Sequence, residues 1–496
     1  MSKEKGPMEN NTKNDKPQNS ERKIPDDFVL VKGDEKFGLN DFYICKHTVT
    51  DKEFIDVMGL KPFNAWGDYH VRNNFPVTHV NILDAIYYCN KRSLMEGFEP
   101  VYMFGKYNQT NPEKWSYKPC LGKSTSSTFS KNEAANGYRL PFDVEWDYAA
   151  KAGENFKYSG SDNLDEVAWN GCNKKSRGVH EVMQKKPNAF GLYDMTGNVD
   201  EWCEWRAKNP DPEWVSYKNE PPVYPCRGGC WEHIKDIDYL DPDYSSYSYR
   251  YSISESTYEL DNQLDALRYS ASNEYLGFRL VLSGDKKNAK PVETEKIEKL
   301  FYELHKKNNQ PDDDFILIKP DSKKKVYQSL KPFYVCEHRV SQREFYNVMG
   351  FTTQVYFPIH REGQCKPYSA IQYCNKLSLL EGLEPYYTLS DKSPLFSENW
   401  KQNENANGYR LLSDIESSYI REMGEKTKKR QQKIAASAKP KPEILNQFDS
   451  FCLTIVNEVT SELALDVNGG SYFCRGNLLT LCGCDARFRI ARSFFE

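Results

Sequence analysis

The chain repeats part of its own sequence, and this repeat constrains the fold more than any other feature. Residues 42–59 read FYICKHTVTDKEFIDVMG, and residues 333–350 read FYVCEHRVSQREFYNVMG. Residues 85–102 (AIYYCNKRSLMEGFEPVY) match residues 370–387 (AIQYCNKLSLLEGLEPYY) in the same way. Similar blocks in the same order indicate a duplicated structural unit. The 496 residues are therefore expected to form two related domains rather than one.

The first repeated block carries the signals of a strand followed by a short helix. In the first copy Thr50 stands at the N-cap position of that helix, and Glu53 follows three residues later. In the second copy the corresponding residues are Ser341 and Glu344. This spacing is typical of a capping box, in which the cap oxygen and the glutamate each satisfy an unpaired backbone amide of the other residue. Gly59 ends the block in the first copy, as expected at the C-terminus of a helix.

A third block extends the repeat, and the copies diverge after it. ANGYRLPFDVEW at 135–146 matches ANGYRLLSDIES at 406–417.

Between the copies, apolar residues recur at helical spacing from Ile297 to Leu304, which predicts an amphipathic helix. The sequence thus predicts a disordered tail at 1–26, a nearly complete first domain at 27–285, a linker with the amphipathic helix at 286–312, and a second, degenerate domain at 313–496 with a mobile insert at about 426–442.

Charge and composition exclude several function classes. The chain carries 67 Lys and Arg residues against 71 Asp and Glu residues, for a formal net charge of −4. Nucleic-acid binding requires a clustered excess of basic residues, so no nucleic-acid partner is expected. Residues 1–23 contain no apolar run like that of a secretory signal, and no later stretch approaches the ~18 apolar residues of a spanning helix. We therefore expect no membrane association and a cytoplasmic location.

Aromatic residues and cysteines indicate the kind of core. Aromatic residues make up 14% of the chain, with 33 Tyr and 9 Trp. Large rings hold loops in place because each buries a large apolar area, so a loop-rich α+β fold is expected rather than a helical bundle. The chain has 14 Cys, and without a secretory signal a disulfide framework is not expected. Buried free thiols are predicted instead, notably at Cys45, Cys89, Cys336 and Cys374.

An ordered set of motifs carries a family resemblance. GYRLP is followed by NAFGLYDMTGNVDEW at 188–202, then by RGG at 227–229 and LGFRLVL at 276–282. Together they resemble the formylglycine-generating-enzyme, or sulfatase-modifying-factor, family, clearly over residues 28–283 and weakly from 315 to the C-terminus. The resemblance implies two loop-rich formylglycine-generating-enzyme-like domains, each with a C-type-lectin-like core, the second shortened.

The resemblance also implies a calcium site in the first copy. Members of this family bind a structural Ca²⁺ through the GLYDM-x-GNV-x-EW segment. The matching ligands here are the side chains of Asp194 and Glu201 and the backbone carbonyls of Gly197 and Val199. Ca²⁺ accepts carboxylates mixed with main-chain carbonyls. A tight hydrogen-bonded turn without a metal is the alternative, and no comparable ligand set is expected in the second copy.

The catalytic cysteines that the resemblance implies are mostly missing. In active family members two cysteines, five residues apart, follow the RGG segment, bind Cu(I) and activate O₂ to oxidise a substrate cysteine. In the first copy His233 and Asp238 stand at these positions, so Cu(I) is not expected there. In the second copy Cys474 stands at the first position and Leu479 at the second. A buried thiol is one interpretation of Cys474, and a pairing with Cys482 or Cys484 in an atypical copper site is the other.

A segment rich in Tyr and Ser follows the RGG motif and is the predicted ligand-contact region. Tyrosine offers a large contact area at low entropic cost, and serine adds adaptable hydrogen bonds. The candidate contact residues are His233, Tyr244, Tyr247, Tyr249 and Tyr251, although packing of a long loop explains these tyrosines equally well. We expect a calcium-stabilised binding or scaffold module for a protein or glycan, without cysteine-oxidase activity. The alternatives are a copper-dependent oxidoreductase acting near Cys474, and a structural protein whose second copy braces the first.

Overall fold

The computed structural model places helices and strands throughout both repeated regions. The residues that it describes are 23–62, 69–120, 129–170, 178–204, 225–231, 275–284, 293–305, 315–320, 324–340, 342–349, 367–389, 400–435, 462–465, 472–474, 477–479 and 487–493. The α-helices are α1 (Asp51–Met58), α2 (Ile82–Met95), α3 (Asp143–Lys151), α4 (Leu164–Val167), α5 (Thr294–His305), α6 (Gln342–Met349), α7 (Pro367–Leu380) and α8 (Asp414–Ala435). Short 3₁₀ turns occur at Glu35–Phe37, Pro112–Lys114 and Lys325–Tyr327.

The strands are short. In the first half they are β1 (Phe28–Val31), β2 (Phe42–Cys45), β3 (Tyr102–Phe104), β4 (Phe129–Lys131), β5 (Tyr138–Arg139), β6 (Asp200–Trp202), β7 (Cys226–Arg227), β8 (Leu276–Phe278) and β9 (Val281–Ser283). In the second half they are β10 (Phe315–Ile318), β11 (Phe333–Cys336), β12 (Tyr387–Leu389), β13 (Trp400–Gln402), β14 (Tyr409–Leu411), β15 (Glu462–Leu465), β16 (Tyr472–Cys474), β17 (Asn477–Leu479), β18 (Arg487–Phe488) and β19 (Ile490–Ser493). The predicted mixed helix-and-sheet class is confirmed.

Two four-stranded sheets have the same strand order. The first is ordered β1-β2-β9-β5 and the second β10-β11-β19-β14. The opening hairpins also share a register, because Phe28 pairs with Cys45 and Phe315 pairs with Cys336. The repeat in the sequence therefore coincides with a repeat of backbone pairing.

Buried polar contacts recur at the same places in both halves. Arg139 binds Glu145 with a shortest distance of 2.7 Å, and Arg410 binds Glu416 with one of 2.6 Å. The Tyr102 hydroxyl accepts a hydrogen bond from a backbone amide at 2.9 Å, as the Tyr387 hydroxyl does at 2.9 Å. An arginine–carboxylate pair out of water requires matched geometry, so its repetition indicates that the same local arrangement is built twice.

Helix α1 forms as the sequence predicts. The Thr50 side chain accepts a hydrogen bond from the Glu53 amide, and the Glu53 carboxylate accepts one from the Thr50 amide at 2.8 Å. Gly59 ends the helix in a left-handed conformation with φ of 75°. Phe54 is buried in the core. In the second copy, the corresponding Ser341 and Gly350 lie outside the described residues.

The predicted linker helix is α5, and it contacts both halves of the chain. Leu300 and Phe301 are buried in a cluster with residues of the first copy. Tyr302 belongs to a cluster of the second copy, and its hydroxyl donates a hydrogen bond to Glu381. Glu298 adds an ion pair to Lys376 at 3.0 Å. The helix is thus a structural bridge rather than a loose connection.

The sequence expectation of a mobile insert at about 426–442 is wrong over its first part. Helix α8 continues to Ala435, and Thr427 on it is buried. Residues 426–435 (KTKKRQQKIA) consist mostly of Lys, Gln, Arg and Ala, which are good helix formers. An ion pair between Glu422 and Lys426, 3.1 Å apart at i,i+4 spacing, adds to the stability of the helix.

None of the helices in the described part of the chain combines the length and the apolar character that crossing a lipid bilayer requires.

Candidate functional site

The loop at residues 194–201, here called the acidic loop, is tightly wound. Asp194, Gly197 and Asn198 all have positive φ, of 55°, 79° and 65°. Aspartate and asparagine tolerate this left-handed region better than most residues do. A side chain at position 197 would place its Cβ 2.4 Å from the Trp169 carbonyl oxygen, so only glycine fits there. The acidic loop is therefore packed closely against its neighbours.

Asp194 carries a buried carboxylate that is only half satisfied. Its Oδ2 accepts a hydrogen bond from the Met183 amide at 2.9 Å, whereas Oδ1 has no hydrogen-bond partner among the described residues. Burial, with a smaller contribution from the charge of Glu201, raises the pKa of Asp194 to about 6, against the opposing effects of the Met183 amide and Arg279. A bare, buried carboxylate oxygen is costly. A cation next to Oδ1 would remove that cost.

Glu201 is also fully buried, and it is already bound to protein groups. Arg279 donates to both of its oxygens, at 2.7 Å to Oε1 and 2.9 Å to Oε2. The indole of Trp146 donates to Oε2 at 2.7 Å. Each carboxylate oxygen has two lone pairs, so Oε1 keeps acceptor capacity. Sequence reasoning missed Arg279 and Trp146, although both stand in quoted motifs, GFRL and EW.

The residues present in the acidic loop fit a calcium ion. Asp194 and Glu201 are both buried, and the charge of Glu201 raises the pKa of Asp194. The Val199 carbonyl turns toward Gly228, where a Cβ would come within 3.5 Å of its oxygen. Hard oxygen donors of mixed carboxylate and carbonyl type are those Ca²⁺ prefers. The unpartnered Oδ1 of Asp194 is the observation that supports this fit.

The acidic loop also holds both ends of the segment that contains the predicted ligand residues. Gly197 donates to the Gly228 carbonyl at 3.0 Å, and the Trp231 amide donates to the Asn198 carbonyl at 3.2 Å. On the other side, the Asp200 amide donates to the Tyr275 carbonyl at 2.7 Å. The rings of Trp231 and Tyr275 meet edge to face with centroids 5.9 Å apart. Residues 232–274 therefore leave and rejoin the described structure at one place.

Most of the predicted contact and copper positions cannot be placed. Four of these positions lie outside the described residues: His233, Asp238, Cys482 and Cys484. The candidate tyrosines also lie outside them, namely Tyr244, Tyr247, Tyr249 and Tyr251. Cys474 ends strand β16, where its backbone pairs with Asn477 of β17. Leu479 ends β17, so the two family cysteine positions of the second copy fall on adjacent antiparallel strands.

The two cysteines that bracket the RGG motif are buried thiols, as predicted. Cys226 and Cys230 are both fully buried. Strand β7 ends at Arg227, between the two cysteines. Gly228 and Gly229 follow with φ of 92° and 67°, which turns the chain away from a strand. Arg227 itself is buried against Asp147, with a shortest distance of 2.8 Å.

Comparisons with known proteins give a matching family model and several similar chains. The family model described as the sulfatase-modifying factor enzyme 1-like domain matches residues 4–284. The chaperone protein LppX of Paenibacillus barcinonensis is 38% identical over 244 residues, covering 41% of this chain and 84% of that protein. The formylglycine-generating enzyme of Streptomyces coelicolor is 30% identical over 168 residues, covering 30% of this chain and 48% of that enzyme. The solved structure of Treponema denticola variable protein 1 has a TM-score of 0.38 and 27% identity, covering 52% of this chain and 91% of that one.

Proposed function

Because the chain belongs to the family of the sulfatase-modifying factor enzyme 1-like domain, we propose that it is a non-catalytic, calcium-stabilised binding or scaffold module of that family. The observation that carries this proposal is the unpartnered Oδ1 of buried Asp194, in the loop that anchors both ends of residues 232–274. An ion at this position would stiffen the base of a long segment without taking part in chemistry.

Calcium would be held by the side chains of Asp194 and Glu201 and by the carbonyls of Gly197 and Val199. The ion would supply positive charge to the buried carboxylate of Asp194, because burial raises its pKa more than the Met183 amide and Arg279 lower it. Arg279 orients Glu201, and the Met183 amide orients Asp194. Outer hydrogen bonds of this kind fix the position of a metal ligand.

The residues at the family's copper positions support the absence of cysteine-oxidase activity. A Cu(I) ion prefers thiolate ligands, and the first copy offers His233 and Asp238 instead. The alternative function, a copper-dependent oxidoreductase that converts a protein cysteine to formylglycine, depends on Cys474. Its partner position holds Leu479, so a second thiol would have to come from Cys482 or Cys484.

The proposed ligand is a polypeptide, bound through residues 232–274. Its Tyr- and Ser-rich part has the composition of adaptable recognition surfaces. A relative that is covered over 84% of its length is named a chaperone, which supports a protein ligand over a glycan. We also infer two tandem domains with C-type-lectin-like cores, because the sheet order and the buried arginine–glutamate pairs recur in both halves.

A binding assay and an activity assay test the proposal together. The full chain, with Ca²⁺ or with chelator, is tested for suppression of aggregation of an unfolding protein and for binding to a glycan array. We expect calcium-dependent suppression that Tyr247→Ala and Tyr249→Ala weaken and that Tyr107→Ala, an exposed tyrosine in the first copy, leaves unchanged. Oxygen-dependent formation of formylglycine in a cysteine peptide, with Cu(I) supplied, would overturn the non-catalytic assignment.

A further inference from the structure

Three potential metal ligands meet where the first two strands of the chain come together. One donor atom each from Asp27, Cys45 and His47 lies within 4.8 Å of the others, and no other group of three such residues is found in the part of the chain that the structure describes. The strand register produces this meeting. Phe28 pairs with Cys45, and the Lys46 amide donates to the Asp27 carbonyl at 2.8 Å. Asp27 thus lies opposite Lys46, the residue between Cys45 and His47.

The three side chains offer a sulfur, a nitrogen and an oxygen. Cys45 Sγ lies 3.6 Å from Asp27 Oδ2, and the thiol is buried. Asp27 and His47 are partly buried, so the group opens toward the surface on one side. This donor set differs in kind from that of the acidic loop, because sulfur and nitrogen are poor ligands for calcium.

The imidazole of His47 is held by a backbone carbonyl. Its Nδ1 lies 2.8 Å from the Thr48 carbonyl oxygen. A carbonyl only accepts hydrogen bonds, so Nδ1 must carry the proton, and the neutral ring then keeps a lone pair on Nε2. A ligating histidine commonly donates its other ring N–H to a backbone carbonyl in this way.

The same residue types recur in the second copy. Cys336 corresponds to Cys45 and His338 to His47, and Sγ of Cys336 lies 3.3 Å from Nδ1 of His338. Asp314 precedes Phe315 as Asp27 precedes Phe28, although Asp314 is outside the described residues. His338 differs in that its Nε2 is bound to Glu344 at 2.7 Å. A thiol and an imidazole at the same strand end in both copies mark this position as more than a chance contact.

We propose that Asp27, Cys45 and His47 bind a divalent transition-metal ion of the zinc class, with thiolate, imidazole and carboxylate ligands. Zinc takes this mixture of ligands in tetrahedral sites, and a fourth position is left for water or a further group. The Cys45 thiol gives up its proton when the ion binds. The ion would tie the chain that enters β1 to the end of β2, so its role is structural.

Cobalt titration of the full chain, with reduced thiols and saturating Ca²⁺, tests this site. Co²⁺ is the probe because a thiolate ligand gives it a near-ultraviolet charge-transfer absorption. We expect the band in the wild type, its displacement by Zn²⁺, and its loss in Cys45→Ser and His47→Gln. Asp27→Asn should weaken binding by about tenfold or more.

Matched variants keep the result interpretable. Cys336→Ser removes the equivalent thiol of the second copy, and Asp194→Asn removes the calcium ligand; both should retain the band. If Cys45→Ser does not fold, as judged by circular dichroism, His47→Gln decides, since its side chain is only partly buried. Absence of the band in the wild type would overturn the proposal. So would a band that survives His47→Gln, or one that Cys336→Ser abolishes.

Discussion

Arg279 and Glu201 form a fully buried ion pair, with the guanidinium Nη2 2.7 Å from Oε1 and Nε 2.9 Å from Oε2 of the carboxylate. The same guanidinium donates to the Cys45 carbonyl at 3.0 Å and to the Tyr193 carbonyl at 2.8 Å. One side chain therefore connects the acidic loop and the end of β2 to the residues that directly follow β8. Because β6 and β8 are paired in parallel and Arg279 is the next residue after β8, its guanidinium reaches the Glu201 carboxylate on β6.

Replacing Arg279 should reveal how much the fold depends on this pair. Arg279→Met leaves the Glu201 carboxylate buried without its main partner, and we expect a loss of about 3–5 kcal/mol in unfolding free energy. Arg279→Lys should lose less, because charge is kept and only the two-point geometry is lost. Urea denaturation measures both. Lys52→Met, which breaks an exposed pair with Asp56, is the control and should cost under about 0.5 kcal/mol.

Gly197→Ala should destabilise the chain and abolish calcium binding. Its Cβ would lie 2.4 Å from the Trp169 carbonyl oxygen in a left-handed conformation. We expect a cost of about 2–5 kcal/mol from the clash and the strained φ together. Gly59→Ala shares the positive φ but meets no atom within 4 Å, so it should cost only about 1–2 kcal/mol. Equal thermal shifts for the two variants would contradict the close packing of the acidic loop.

The buried pair of Arg410 and Glu416 predicts acid sensitivity. Burial alone would raise the pKa of Glu416. The charge and hydrogen bonds of Arg410, together with hydrogen bonds from Ser413, instead lower this pKa below its usual 4.5. A carboxylate whose pKa is lower in the folded state stabilises the fold at pH values above its unfolded-state pKa. This stabilisation is lost as the pH falls through the folded-state pKa. Glu416→Gln should therefore be less stable than the wild type at pH ~7, and the gap should narrow below pH ~4.5. The control Asp56→Asn, at an exposed carboxylate, should show no such gap in urea titrations at the two pH values.

Asp194→Asn should remove the calcium-dependent part of stability. A ligand present at 100 times its Kd stabilises the folded state by about 2.7 kcal/mol, so the wild type should melt higher with calcium than with chelator. The variant should melt at one temperature in both conditions. With chelator it should be at least as stable as the wild type, since an amide carries no buried charge. A wild-type melting temperature that ignores calcium would contradict the assignment.

Local features of the fold could be predicted from the sequence, because they depend on neighbouring residues. The capping box of Thr50 and Glu53 and the linker helix at Thr294–His305 follow from spacing and periodicity alone. The full length of α8 does not follow from the sequence pattern, because a polar run is compatible with a mobile segment as well as with a helix, although its residues favour a helix.

The candidate site could be predicted only in part. The motif positions of Asp194 and Glu201 were found, but Arg279 is 78 residues from Glu201 along the chain. Contacts over such distances depend on strand pairing that periodicity does not reveal. Asp27 and Cys45 likewise come together through strand pairing, because their proximity follows from the β1–β2 register.

Metal content of the full chain is the most direct test of the central claim. The wild type and the Asp194→Asn and Cys474→Ser variants are purified with Ca²⁺ and Cu(I) present and analysed by mass spectrometry of the elements. We predict about one calcium per chain, lost in Asp194→Asn, and no stoichiometric copper. Stoichiometric copper that disappears in Cys474→Ser, with no calcium dependent on Asp194, would contradict the account and identify an oxidase.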